Sequence, residues 1–256
     1  MTTVNDIIMY IESIAPTALK MDWDNVGLLC GSRSTPVTTV LVALDPFENV
    51  CREAAELGAE LIVTHHPLIF QPAEAITDDT SVGRSVLFLA SHGISAANAH
   101  TNLDRAAGGV NDVLAQTLGL QNIQVIDPDG EGLLRKGNVS GQTLEQFLSH
   151  VKDRLSCPGL RYVSGGRPVR MVAVGGGSCG SELYAAVNAG CDTFVTADVK
   201  YNQFQEAAGL GINLIDAGHF YTENPVVAVL AEKIAAAFPE ITVKTSKSNT
   251  DPMKFY

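Results

Sequence analysis

Short β-branched runs alternate with helical stretches along this chain, and that alternation limits the fold more than any other feature. TTVLVAL (38–44), ELIVT (60–64) and ISAAN (94–98) read as buried strands bounded by turn residues. ENVCREAAELG (48–58), RSVLFLASHG (84–93) and NDVLAQTLG (111–119) read as helices, with Gly58 and Gly119 closing two of them. Strands spaced by helices of this length imply parallel βαβ units, because a parallel pair needs a crossover that a hairpin cannot supply. Val4, Ile7, Ile8, Ile11 and Ile14 predict a helix ended by Pro16, and TLEQFLSHVKDRLS (143–156) predicts an amphipathic one capped by Thr143. A second strand–helix series follows: PVRMVAVGG (168–176), SELYAAVNAG, TFVTAD, a helix near 199–208, INLIDA, and a long helix near 224–238.

The two series can be laid over one another. TTVLVALDPFENVCREAAELGAELIVTHH (38–66) and VRMVAVGGGSCGSELYAAVNAGCDTFVTAD (169–198) share a strand, a turn, a helix with an Ala-Ala pair, and a strand ending Val-Thr. GISAANAHTNLD (93–104) and GINLIDAGHFYTE (211–223) each open Gly-Ile and end on a His followed four residues later by a carboxylate. Two related α/β halves explain this; convergence of α/β patterning is the alternative. With 256 residues the chain has room for one large domain or two small ones. The expected division is 1–126 and 127–256, with DPDGEG (127–132) as the clearest loop and the C-terminal helix able to pack on the first half.

Charge narrows the function. Lys and Arg total 17 against 28 Asp and Glu, a net charge of -11, so the basic footprint of a nucleic-acid or anionic-membrane binder is missing. No apolar run reaches the ~18 residues of a membrane span. MTTVNDIIMYIES lacks a basic start and carries Asp6 early, unlike a signal peptide. Five scattered cysteines, Cys30, Cys51, Cys157, Cys179 and Cys191, contain no CxxC pair and suit reduced, buried thiols in a cytoplasm.

Ligand-type side chains follow the buried strands, where open α/β sheets build their sites. His65 and His66 precede Pro67; neighbours in a strand face opposite ways, so the pair can converge only beyond the strand end. His100 and Asp104 end the next strand, and His219 and Glu223 do the same in the second half. Imidazoles with carboxylates suit Zn, Mn, Fe, Co or Ni. If the halves meet, five ligands are too many for one tetrahedral ion but suit two ions sharing a carboxylate. Plainer roles compete: Asp104 as a helix cap, Glu223 in a first helical turn ahead of Pro225, His92 at a helix C-terminus, His150 on a solvated surface. Gly175-Gly176-Gly177-Ser178 lies between strand and helix and reads as a tight turn or a phosphate cradle, with Arg161, Arg167, Arg170 and Lys200 as candidate phosphate contacts or plain surface. No nucleophile elbow is present, and no cysteine adjoins a histidine.

THHPLIF (64–70), HTNLD (100–104) and DAGHFYTE (216–223) resemble motifs of the GTP cyclohydrolase I type 2 family, also called NIF-three-like, and MDWDNVGLLCG (21–31) and TDPMKFY (250–256) resemble its ends. The resemblance spans essentially the whole chain, which is too short for the middle domain of longer members. It implies two interlocked α/β halves with a metal cleft, two divalent ions per chain, and a toroidal homohexamer. It assigns His65 and His219 to one ion and His66 and Asp104 to the other, with Glu223 bridging and His100 orienting a ligand or water. The implied activity opens the guanine imidazole ring of GTP, giving formate and dihydroneopterin triphosphate. A non-catalytic metal-binding or partner-docking assembly is the competing reading. TADVKYN (196–202) departs from the usual TGDxKYH: Ala197 stands for glycine and Asn202 for histidine, so no titrating group occupies that last position.

Overall fold

Thr3 starts the first helix: its hydroxyl accepts from the Asp6 backbone N–H while the Asp6 carboxylate accepts from the Thr3 N–H, a reciprocal cap. The computed structural model describes residues 1–127 and 132–254. The chain runs α1 (Val4–Ile14), β1 (Gly27–Cys30), β2 (Thr39–Ala43), α2 (Glu48–Glu56), β3 (Leu61–Thr64), α3 (Ser81–Ser91), β4 (Ser95–Asn98) and α4 (Thr101–Arg105). It continues through α5 (Val110–Thr117), β5 (Gln121–Ile126), β6 (Leu134–Gln142), α6 (Leu144–Leu155), β7 (Arg161–Val163), β8 (Val169–Val174) and α7 (Leu183–Asn188). β9 (Thr193–Thr196), α8 (Tyr201–Leu210), β10 (Asn213–Asp216), α9 (His219–Glu223), α10 (Pro225–Ala237) and β11 (Thr242–Thr245) complete it.

The chain divides into two units. The first comprises Met1–Ala107 and Val227–Thr250, the second Gly108–Val226 and the chain from Asp251 onward. The first segment thus closes at Ala107, short of the expected 126. The reason is that Leu114, Ala115 and Leu118 of the α5 region are buried in the core of the second sheet. The expected loop at 127–132 lies mostly outside the described residues.

In the first unit the strand order is β1-β4-β3-β2-β11, with β4, β3, β2 and β11 parallel and β1 antiparallel on β4. One face of this sheet packs Leu41, Ala43, Ile62 and Ala96 against Val50, Cys51 and Ala54 of α2 and Leu89 of α3. In the second unit the order is β5-β6-β8-β9-β10-β7, with β8, β9 and β10 parallel and both flanks antiparallel. Successive residues there serve opposite faces, as the pleat demands. Val172, Val195 and Ile215 pack with Phe147 and Val151 of α6, while Ala173, Phe194 and Leu214 pack with Leu183 and Ala186 of α7 and Ala207 of α8.

The predicted series β2-α2-β3-α3-β4 and β8-α7-β9-α8-β10 are therefore both parallel βαβαβ units, and each carries an antiparallel strand beside its last member. Thr64 pairs with Asn98, and Thr196 with Asp216, at matching strand ends. The H-x-x-x-D/E match is not in register with this frame. His100 is the N-cap of α4, whereas the N-cap of α9 is Gly218, so His219 stands one residue further into its helix than His100. Among the described residues no helix is long and apolar enough to cross a membrane.

Candidate metal centre

β3 ends at Thr64, so His65 and His66 lie where the chain has left the sheet. Their rings converge as expected, with centroids 4.9 Å apart. β4 ends at Asn98, and His100 follows with its ring 5.1 Å from His65 and 5.6 Å from His66. One ring nitrogen from each of the three can be chosen so that all lie within 4.8 Å of one another. His100, read from sequence as an orienting residue, therefore has the placement of a ligand as well. Buried Asp104 follows in α4 with its carboxylate 3.6 Å from His65 Nε2, beside the histidine that the resemblance assigns to the other ion. It lies within that helix rather than capping it.

In the second unit Gly218, at φ +83°, turns the chain from β10 into α9. His219 and Glu223 open and close that single turn-and-a-half of helix, and His219 Nε2 lies 3.0 Å from the buried Glu223 carboxylate. Glu223 thus ends α9 instead of opening the next helix, which Pro225 begins.

All four imidazoles are held through Nδ1. The partners are the Ala99 carbonyl for His65 at 3.0 Å, Asp45 for His66 at 2.6 Å, Asp24 for His100 at 2.8 Å and Asp198 for His219 at 2.7 Å. Carbonyl and carboxylate oxygens only accept, so each Nδ1 donates, and in the neutral ring Nε2 is then the nitrogen with the lone pair. This is the arrangement that orients histidines for a metal. Burial pushes the Asp24 carboxyl upward, but hydrogen bonds from His100 and from Thr101 outweigh it and hold the group well below the usual carboxylate range. The buried His, Asp and Glu groups can therefore bind a metal, and their nitrogen and oxygen donors fit a first-row divalent ion.

The glycine loop lies against Glu223. Three of its backbone N–H groups are engaged within the protein, Gly175 donating to the Val195 carbonyl, Gly176 to Asn111 and Gly177 to Thr222, and Cys179 just beyond donates to Thr196. A Cβ on Gly177 would lie 2.1 Å from Glu223 Oε1, and the residue holds φ +62°. Glycine at this position leaves room for the Glu223 carboxylate. Arg161 pairs with Asp216, not with an open anion site. His150 is half-buried and bonds the Leu118 carbonyl, so it is not the solvated residue expected; His92 does bond the last turn of α3, at the Phe88 carbonyl. Asn202 is exposed on α8, and Ala197 is buried.

Sequence reasoning missed Asp45, Asp24 and Asp198. Asp45 and Asp198 each come two residues after a parallel strand, a position where open α/β sheets place functional groups. That placement was their only signal.

A family model described as Duf34/NIF3 (NGG1p interacting factor 3) matches residues 2–252. A Clostridium perfringens relative named GTP cyclohydrolase 1 type 2 homolog is 37% identical, over 98% of this chain and 99% of its own. A Bacillus cereus crystal structure of a protein related to NIF3 superposes with a TM-score of 0.95 at 28% identity, covering 100% of this chain and 99% of that one. A Staphylococcus aureus hypothetical protein superposes at 0.92 with 30% identity, over 99% of both chains.

Proposed function

The chain belongs to the Duf34/NIF3 family, and on that premise we propose that it is a divalent-metal hydrolase of nucleotides with GTP cyclohydrolase I type 2 chemistry. The observation that carries the reading is the set of four histidines whose Nδ1 atoms are all held by oxygen acceptors, leaving Nε2 for metal. His65, His66 and Asp104 of the first unit and His219 and Glu223 of the second are the proposed ligands, for two ions per chain. Bound there, divalent ions would polarise a substrate oxygen and acidify water. The protein's own residues do the rest. Asp45, Asp24 and Asp198 fix the tautomer and aim of three rings, and the buried carboxylates of Asp104 and Glu223 offset the cations' charge. A toroidal homohexamer and a cytoplasmic setting for the five unbridged thiols complete the proposal. Light scattering that finds a monomer at micromolar concentration would exclude the hexamer.

Elemental analysis after loading and dialysis tests the centre. Wild type should retain two ions per chain, His65→Ala about one, and Glu223→Ala should weaken both. Two ions kept by Glu223→Ala, or at most one by wild type, would refute the five-ligand assignment. Loaded protein should release formate from GTP within a nucleotide panel. Metal retained without turnover would instead favour the non-catalytic assembly.

A further inference from the structure

An indole stands in the open beside the histidine cluster. Trp23, the only tryptophan of the chain, is 62% exposed, and Phe70 next to it is 43% exposed. Large aromatic rings normally contribute by burial, so two exposed ones side by side need a reason. Mobility does not supply it, because the turn that displays Trp23 is tied down on every side. The Asp24 N–H donates to the Met21 carbonyl, and Lys20 Nζ donates to the Met21 and Asp24 carbonyls. The Met21 N–H donates to Thr101 Oγ1, and the Asp24 carboxylate accepts from the Thr101 N–H and from His100. Asn25 Nδ2 reaches the Ile69 carbonyl at 2.6 Å, binding the Trp23 turn to the segment that carries Phe70.

The rings form a corner. Trp23 and Phe70 lie 5.8 Å apart at 70°, Trp23 and His100 6.2 Å apart at 73°, and Phe70 and His100 6.1 Å apart at 83°. A flat ring laid on the indole would meet Phe70 and His100 in the edge-to-face arrangement that the indole itself makes with them. His100 is at the same time within ring contact of His65 and His66. A ring stacked on Trp23 thus has an edge beside the proposed metal ligands. A cationic head group would also suit an aromatic corner, but a centre that takes divalent cations repels it.

We propose that Trp23 and Phe70 are a stacking platform for a planar heteroaromatic ring of purine size, which they present to the His65–His66–His100 cluster. The proposal rests on the reading of that cluster as the metal centre of a nucleotide-hydrolysing enzyme, and names the part of the substrate that is gripped. Base–aromatic stacking of this kind is worth roughly 5- to 150-fold in affinity when the ring is truncated to alanine.

The single tryptophan is the reporter. Full-length protein loaded with Zn²⁺, which does not quench indole emission, is titrated with guanosine, with ribose 5-phosphate and with tetramethylammonium. Saturable quenching by guanosine alone is expected. Calorimetry should show guanosine affinity lowered by that factor in Trp23→Ala and within about threefold of wild type in Trp23→Phe, with zinc content unchanged in both. Quenching by tetramethylammonium instead of guanosine, or guanosine affinity unaltered in Trp23→Ala, overturns the platform. So does a change of oligomeric state in Trp23→Ala by light scattering, which would make the corner a contact between copies. Zinc content of the same wild-type samples keeps the two readings apart: guanosine stacking without bound zinc defeats the metal centre and leaves the platform, and bound zinc without stacking does the reverse.

Discussion

The two units use one scaffold with opposite fittings. In each, three parallel strands linked by helices end on a threonine paired with a polar residue, Thr64 with Asn98 and Thr196 with Asp216. Counting outward from those threonines, the first unit puts His66 where the second has Asp198, and Asp45 where the second has Gly177. In the first unit Asp45, which grips His66, follows the first parallel strand; in the second Asp198, which grips His219, follows the middle one. The exchange matches the sterics. Glu223 fills the space that a side chain at 177 would need, and the carboxylate that holds His219 stands instead at Asp198, at φ +51°, a conformation aspartate tolerates. The lesson is that a repeated fold need not repeat its site: each half keeps the strand-end geometry and redistributes ligand, support and space.

The largest test of this equivalence is in the cores. Phe194 and Ile62 hold the same place in the middle strands of the two sheets, and both are fully buried. Phe194→Ala should cost about 3–5 kcal/mol and Ile62→Ala about 2–5 kcal/mol in denaturant unfolding. A loss under about 1 kcal/mol at either would break the correspondence of the sheets. Next comes the exchange itself. Gly177→Ala should displace Glu223 and cut metal retention at least as severely as losing an orienting partner, an effect of roughly 10- to 100-fold. Unchanged metal affinity in Gly177→Ala would show that the glycine is there for the turn alone. Asp45→Asn should weaken metal binding within that same range by loosening His66, and Asp198→Asn should do likewise for His219. A marked effect at one and none at the other would mean that the two supports are not counterparts.

The smallest effect probes the flank where the units differ, β11 parallel to β2 against β6 antiparallel to β8. The segment after β11 is tied to α2 by Glu53, whose carboxylate accepts from the Ser246 and Ser248 hydroxyls and the Lys247 and Ser248 N–H groups. Burial raises the Glu53 carboxyl, but those hydrogen bonds prevail and lower it. A lowered carboxyl stabilises the folded state above its unfolded value, near 4.3, and the contribution fades as pH falls through that range toward the folded value. Glu53→Gln should therefore cost about 1 kcal/mol at neutral pH, and the gap to wild type should close on acidification. A gap independent of pH would deny the tie.

Where a residue's periodicity decides its state, the sequence was readable. Buried runs such as TVLVA and TFVT and the capped α6 announce themselves through burial pattern and a Thr143–Gln146 box. β1 and β7, of four and three residues, are too short to show a period and form only because β4 and β10 offer them an edge. β6 alternates too irregularly, with Arg135 buried against Asp112, a pairing no local pattern reveals. The same split holds at the site. Ligand-type residues come in compact motifs, HHP and HTNLD, whereas their supports are single aspartates brought up by tertiary folding: Asp24 meets His100 across the β1–β4 pair.

The parallel pairing of β2 with β11 sets an order on biosynthesis. Thr39 of β2 stands in register with Thr242, where β11 begins. As the chain emerges from the ribosome, the edge of β2 must therefore stand open while every residue of the intervening unit is made. An open edge of Thr-Val-Leu-Val-Ala is a template for pairing with another nascent chain. Early folding of the main segment of the second unit, Gly108–Val226, shortens the effective loop that must close before β11 can dock. Truncation ahead of Thr242 leaves that edge permanently exposed, so chains shortened at the C-terminus should be lost to aggregation before their chemistry can be measured.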